Sequence, residues 1–159
     1  MEIKVFLSNL KKMFLSKSVV KQSNIKNYVR SGLDLGEGTF FTSKIKIDRP
    51  NLTKIGNNCI FADDVTILNH DASTMIHSNF GERKRVSIGD NCFIGYKSII
   101  LPGVEIGDCS IIGAGSVVTK DIPSFSVAAG NPAKVVMTLD DFVSRRKRKL
   151  KSFLGIEGE

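Results

Sequence analysis

Two histidines, His70 and His77, occur among the 159 residues, and imidazole is the side chain best suited to moving a proton near neutral pH. With an unperturbed pKa of about 6.5, an imidazole can take the proton from a hydroxyl as its oxygen attacks an electrophile. His70 stands in the run VTILNHDAST, Val65 to Thr74, where a regular sequence pattern gives out. From the residues alone, such a histidine serves equally well as a corner residue bonded to a backbone carbonyl. Its neighbour Asp71 is not its natural partner, because successive strand residues point to opposite faces, and it suits a turn instead. A carbonyl, or a carboxylate of Asp48, Asp63, Asp64 or Glu82, is left to orient the ring. His77 shares its stretch with Arg83, Lys84 and Arg85, which suits either a solvated basic loop or a grip on an anionic part of a substrate.

What must position these residues is a repeat of six. Ile88, Ile94, Ile100, Ile106, Ile112 and Val118 form one aliphatic column, and Gly89, Gly95, Gly107 and Gly113 follow four of them. Four places after each aliphatic residue stands Cys92, Ser98, Val104, Ser110, Ser116 or Ile122, a small or β-branched column. Six matches neither the helical period nor the strand period, but it matches short strands meeting at corners, the pattern of a parallel β-helix. Leu35, Phe41 and Ile47 begin the count, and residues 48–51 interrupt it by two. Ile55, Phe61 and Ile67 resume it, and residues 73–86 leave it as a loop thrown from one corner.

The β-helix is thus expected over 35–136, with Pro123 and Pro132 marking its exit. A segment over 1–34 precedes it, carrying an amphipathic helix over about 2–16 (Ile3, Phe6, Leu7, Leu10, Met13, Phe14) and no firm pattern over 17–32. A helix over 139–154 within a tail at 137–159 follows, with Asp140 and Asp141 in its first turn and Arg145 to Lys149 further on.

The net charge of +7 is carried by the ends: residues 1–30 contribute +6, residues 140–159 contribute +2, and the middle of the chain is −1. A neutral coil argues against nucleic-acid binding, which needs phosphate-neutralising charge on the binding face. Basic terminal helices suit packing on the coil or a neighbouring subunit, and also a weak contact with an anionic membrane surface. No apolar run approaches a membrane span, and Lys11, Lys12 and Lys17 interrupt any signal-peptide core, so a cytoplasmic location is expected. The cysteines, Cys59, Cys92 and Cys109, show neither a disulfide framework nor a zinc pattern. Cys59 and Cys92 fall on the small column, and Cys109 falls near a corner.

The repeat, together with IIGAGSVVTKDIP and AGNPAKVV downstream, resembles the hexapeptide acyltransferases over residues 33–137. The stretch around His70 is similar to the segment carrying the catalytic histidine in their sugar O-acetyltransferase branch. The resemblance implies a left-handed parallel β-helix, an all-β fold with added helices, assembled as a homotrimer. It implies acetyl-CoA as co-substrate, no metal requirement, and a sugar acceptor, nucleotide-linked or lipid-linked, in surface polysaccharide synthesis. His70 would be the general base and the backbone N–H of Tyr96 the oxyanion donor. Phe93 and Gly95 would lie along the pantetheine, with Gly113, Ala114, Lys120, Gly130 and Lys134 toward the nucleotide. Asn69, Asp48 and Arg83 are the acceptor-binding candidates. Residues 40–50 do not reproduce the asparagine and aspartate characteristic of the maltose and galactoside branch, which leaves the acceptor open. The rival readings are an N-acyltransferase on an amino sugar, a drug-modifying acetyltransferase, and a catalytically silent β-helix serving assembly. A metal-dependent carbonic anhydrase of the same fold would need three histidine ligands, and the chain has two histidines.

Overall fold

The computed structural model describes residues 23–153, so the amphipathic helix expected over 2–16 lies outside the described residues. Helix α1 (Ser23–Arg30) falls where the sequence offered no firm pattern. Eight residues give barely two turns of periodicity, and its role is visible only in three dimensions. Ile25 and Tyr28 pack onto the core, while the Tyr28 hydroxyl donates to Ile45 O at 3.2 Å and accepts from Ile47 N at 3.4 Å. The helix thereby covers apolar side chains at the start of the coil.

The coils follow in order. The first is β1 (Asp34–Leu35), β2 (Phe40–Phe41) and β3 (Lys46–Ile47), and the second is β4 (Thr53–Ile55), β5 (Ile60–Phe61) and β6 (Thr66–Ile67). An excursion then contains β7 (His70–Asp71), α2 (Met75–Ser78) and β8 (Glu82–Arg83). The third coil is β9 (Val86–Ile88), β10 (Phe93–Ile94) and β11 (Ile99–Ile100), and the fourth is β12 (Glu105–Ile106), β13 (Ile111–Ile112) and β14 (Val117–Val118). Ile122 bridges to Ile106, and β15 (Ser126–Gly130), β16 (Ala133–Thr138) and helix α3 (Leu139–Phe153) complete the described chain.

Strands stack in parallel into three faces, β1-β4-β9-β12, β2-β5-β10-β13-β15 and β3-β6-β11-β14, with β16 returning antiparallel on β15. The single aliphatic column of the sequence therefore becomes three inward columns: Ile88 lies over Ile106, Ile94 over Ile112 and Ile100 over Val118. All six are at most 1% exposed. Burying such a side chain contributes about 1.5–3 kcal/mol, and here all but Val118, on the edge strand β14, have a counterpart both above and below. Ile122, which the count of six puts in the small column, instead takes the inward place above Ile106, because the last coil is shorter by two residues. Cys59 and Cys92 are fully buried, their thiols directed at Gly89 O (3.0 Å) and Gly107 O (3.2 Å), and Cys109 turns a corner with φ of 56°.

Between faces the chain turns three corners per coil. The first corner follows the β1 column, the second follows the β2 column, and the third follows the β3 column. Residues 48–52, the two-residue interruption of the sequence count, form the third corner of the first coil and include a 3-10 turn at Pro50–Leu52. The excursion leaves the third corner of the second coil. It is an antiparallel hairpin, His70 opposite Arg83 and Asp71 opposite Glu82, so it begins three residues before the register is lost. Val86 is buried and paired with Thr53, so it belongs to the coil. At the far end, Thr138 and Asp141 exchange hydrogen bonds (Asp141 N to Thr138 Oγ1 3.2 Å, Thr138 Oγ1 to Asp141 Oδ2 2.9 Å), a reciprocal cap that starts α3. No described helix is long and apolar enough to cross a membrane.

Candidate active site

The residues singled out in the sequence fall into two groups on two different corners. Phe93, Gly95, Tyr96, Gly113, Ala114, Gly130 and Lys134 gather along the second face and the second corner. Gly95 packs so closely on the next coil that a Cβ there would lie 2.5 Å from Ala114 N and 2.7 Å from Ile112 O. Above Gly113 runs the end of β15, with Gly130 N donating to Ser116 Oγ at 3.2 Å and Ala129 opposite Lys134. Phe93 lies between Ile60 and Ile111 and is half-buried on the outward side of the face.

Backbone bonding at this corner is incomplete. Gly95 N donates to Ile112 O, Lys97 N to Asp63 O and Gly115 N to Tyr96 O, but the amides of Tyr96 and Ala114 donate to no described residue. Tyr96 and Ala114 are exposed, and a Cβ on Gly115 would meet nothing within 4 Å. Two fixed N–H groups, one coil apart on an open corner, can hold acceptor oxygens of an extended ligand or a developing negative charge.

His70, Arg83, Asn69, Asp48 and Lys120 stand instead at the third corner. His70 is half-buried at the root of the hairpin, and its imidazole has no hydrogen-bond partner among the described residues. Arg83 lies directly across from it, so the two side chains share one face of the hairpin. Asp71 takes the turn-forming role: its Oδ1 accepts Ser73 N at 2.8 Å, and this bond holds its carboxyl below the usual range. Among the carboxylates considered as orienting groups, Asp63 and Asp64 lie at the second corner, and Glu82 sits on the opposite face of the hairpin, paired with Lys84 at 2.8 Å. Asp48 alone shares the third corner with His70, exposed on the coil below. His77 is on α2 at the exposed tip.

Within this chain Lys120 stands apart from Gly113 and Ala114, following β14 at the third corner, one face away. One expectation, Asn69 as an acceptor-binding residue, does not fit its surroundings. Asn69 is not free to bind an acceptor: it is fully buried, Oδ1 accepts from Arg49 N (3.2 Å) and Thr53 Oγ1 (3.1 Å), and Nδ2 donates to Leu52 O (3.1 Å) and Lys84 O (3.3 Å). An amide has two acceptor and two donor positions, and all four are taken. The sequence signal for this was an asparagine beginning a break in register, which reads equally well as a surface residue.

One face of about six residues, of which Ile99–Ile100 are extended, separates the two groups, a span of less than about 20 Å at about 3.3 Å per residue.

A family model described as the hexapeptide repeat of succinyl-transferase matches residues 85–120. Galactoside O-acetyltransferase of Escherichia coli is 38% identical over 115 residues, 70% of this chain and 56% of that protein. A maltose O-acetyltransferase from Clostridium difficile has a similar structure, with a TM-score of 0.57 and 26% identity over 86% of each chain. A serine acetyltransferase in complex with CoA gives a TM-score of 0.54 at 26% identity, over 66% of this chain and 40% of that one. The chain belongs to the hexapeptide-repeat acyltransferase family, and its coil is the left-handed parallel β-helix. It spans about half the length of the curated relatives it matches, 56% of the galactoside protein and 35% of a Staphylococcus aureus relative 54% identical over 69 residues.

Proposed function

We propose that the chain is an acetyl-CoA-dependent O-acetyltransferase acting on a sugar hydroxyl. The observation that carries this reading is His70, an imidazole without a hydrogen-bond partner among the described residues, at the root of a projecting hairpin with Arg83 on the same face. As general base it takes the acceptor's hydroxyl proton while the oxygen attacks the thioester carbonyl. The Tyr96 amide receives the developing negative charge, the C–S bond breaks, and CoA departs as the thiol after protonation. The open amides of Tyr96 and Ala114 and the small residues around them fit an extended pantetheine, and Lys134 supplies a cation toward its nucleotide end.

The separation of the two corners supports a further element of the reading. Within one chain, His70 and the Tyr96 amide stand on different corners of the coil, with the Ile99–Ile100 face between them, and in this reading the site forms where the third corner of one subunit meets the second corner of another. A homotrimer supplies three such junctions, and Lys120 then faces the neighbour's donor groove. The acceptor is read as a nucleotide-linked or lipid-linked sugar of surface polysaccharide synthesis, modified in the cytoplasm. For a lipid-linked acceptor, exposed Arg145, Arg148 and Lys149 on α3 would add a weak contact with anionic lipid.

The test is thiol release from acetyl-CoA with a panel of neutral sugars, amino sugars and nucleotide sugars. Release that depends on a neutral sugar and on His70 supports the reading. Preference for amino sugars replaces it with N-acetylation, and no release with any acceptor replaces it with an assembly role.

A further inference from the structure

We infer that Asn69 is a positioning residue whose side-chain amide fixes where His70 stands. This rests on the reading of His70 as general base. The hairpin carrying His70 has two strands of two residues each, and residues 71–85 are exposed along its whole length. A hairpin of that size holds no fixed position in water by itself, so its placement must come from its root.

The root is built around one side chain. Asn69 O accepts Lys84 N at 2.9 Å, closing the neck between the outgoing and returning strands. The side chain then ties this neck to the coil below, through Arg49 N, Leu52 O and Thr53 Oγ1, and doubles the tie to the returning strand through Lys84 O. Lys84 in turn lies against the coil above, where a Cβ on Gly103 would come within 2.8 Å of its Cδ. Asn69 therefore joins the third corner of the first coil, the exit of the second and the re-entry to the third.

The chemistry of the pocket selects an amide. Oδ1 accepts Arg49 N and shares the Thr53 hydroxyl proton with Arg49 O, and two carbonyls meet Nδ2, so the orientation is fixed by its partners. An aspartate would set an oxygen against two carbonyls, and an alanine would remove the partner of Arg49 N, Leu52 O and Lys84 O at a part-buried root. His70 is the next residue along, so slack in this root passes directly to the imidazole, and misplacement of a catalytic group by about 1 Å can cost about 10²-fold in rate.

With two histidines in the chain, their ring Cε1 protons give two NMR signals, assigned by His70→Ala and His77→Ala. Asn69→Ala should move the His70 signal toward that of an unstructured histidine and leave His77 in place. With acetyl-CoA and the best sugar of the panel, kcat should fall by about 10- to 100-fold while KM for acetyl-CoA stays within twofold. In a His70→Ala background the same substitution should cost less than twofold, because its effect runs through His70. If Asn69→Ala does not fold, Thr53→Val, which removes one tie at constant volume, should shift the same signal by a smaller amount. An unmoved His70 signal in a folded variant overturns the inference, as does an equal loss of kcat in both backgrounds. Unchanged turnover in His70→Ala would instead sink the general-base reading, and the spectra judge the Asn69 anchor without any turnover.

Discussion

Mixing two dead subunits gives the most direct test of where catalysis is assembled. The first lesion is His70→Ala. The second must close the donor groove without breaking the coil, and Gly95 is the wrong place for it. Any side chain there drives its Cβ to 2.5 Å from Ala114 N and 2.7 Å from Gly113 C, which displaces stacked backbone. Ala114 is exposed at the same corner, one coil on, so Ala114→Trp fills the groove from outside. Each variant alone should lose nearly all activity, by about 10²–10⁴-fold for His70→Ala.

The expected recovery follows from counting. After equal amounts are unfolded and refolded together, a junction works only if its His70 comes from an Ala114→Trp chain and its groove from a His70→Ala chain. Each condition is met half the time, so about one quarter of wild-type sites should return. A site contained within one chain predicts none, because every chain carries one lesion. The assay is thiol release on the mixture, with native mass spectrometry to show that mixed trimers exist. Mixed trimers without recovered activity would refute the shared site and leave acetyl transfer itself standing.

Other consequences are simpler to check. His77→Ala, at the exposed hairpin tip, should change kcat far less than His70→Ala; equal small effects would remove His70 from its role. Ile100 is fully buried between Ile67 and Val118, so Ile100→Ala should cost about 2–5 kcal/mol in denaturant unfolding and Ile100→Asp should give insoluble protein. A soluble, wild-type-like Ile100→Asp would mean the inward register is misassigned. The Asp71 carboxyl is held low by Ser73 N, so the turn it makes is favoured above the ordinary carboxylate pKa and lost as pH falls through the lowered value. The Ser73 amide proton shift should therefore titrate with a midpoint below about 3.9, and a midpoint at or above that value would contradict the bond.

The period of six was enough to read the coil, because each inward aliphatic residue must repeat wherever a face repeats. The same reasoning found the start of α3, where Asp140 and Asp141 precede a basic run. It could not find α1, whose eight residues matter through Tyr28 contacts with residues seventeen and nineteen positions away. Nor could it find the surroundings of Asn69, because a polar residue at a break in register looks the same whether it faces a substrate or four backbone and hydroxyl partners. The separation of Lys120 from Ala114 was hidden for a related reason. Six residues in sequence is one face of the coil, so near neighbours in the count stand on different edges of the molecule.

Which corner stays open to a ligand is nevertheless written in the residue after each glycine. At the first corner these residues are Glu37, Asn57, Asp90 and Asp108, and the side-chain oxygens of the last three cap the coil below: Asn57 Oδ1 takes Glu37 N at 2.8 Å, Asp90 Oδ1 takes Asn57 N at 2.7 Å and Asp108 Oδ1 takes Asp90 N at 2.7 Å. A ladder of short acceptors therefore consumes the amides that the turn leaves over. At the second corner the same position holds Tyr96 and Ala114. Neither side chain offers an acceptor that could reach back, and the amides there remain unbonded. A buried amide without a partner costs free energy comparable to a lost hydrogen bond, so a corner kept uncapped must lie where water or a ligand can complete it. Through the first three coils the first corner is finished by the chain itself, and of the amides that follow its glycines only that of Asp108, at its top, has no acceptor among the described residues. The Tyr96 and Ala114 amides at the second corner are left for water or a ligand, and in the function proposed above that ligand is an extended acyl donor with carbonyl groups along its arm.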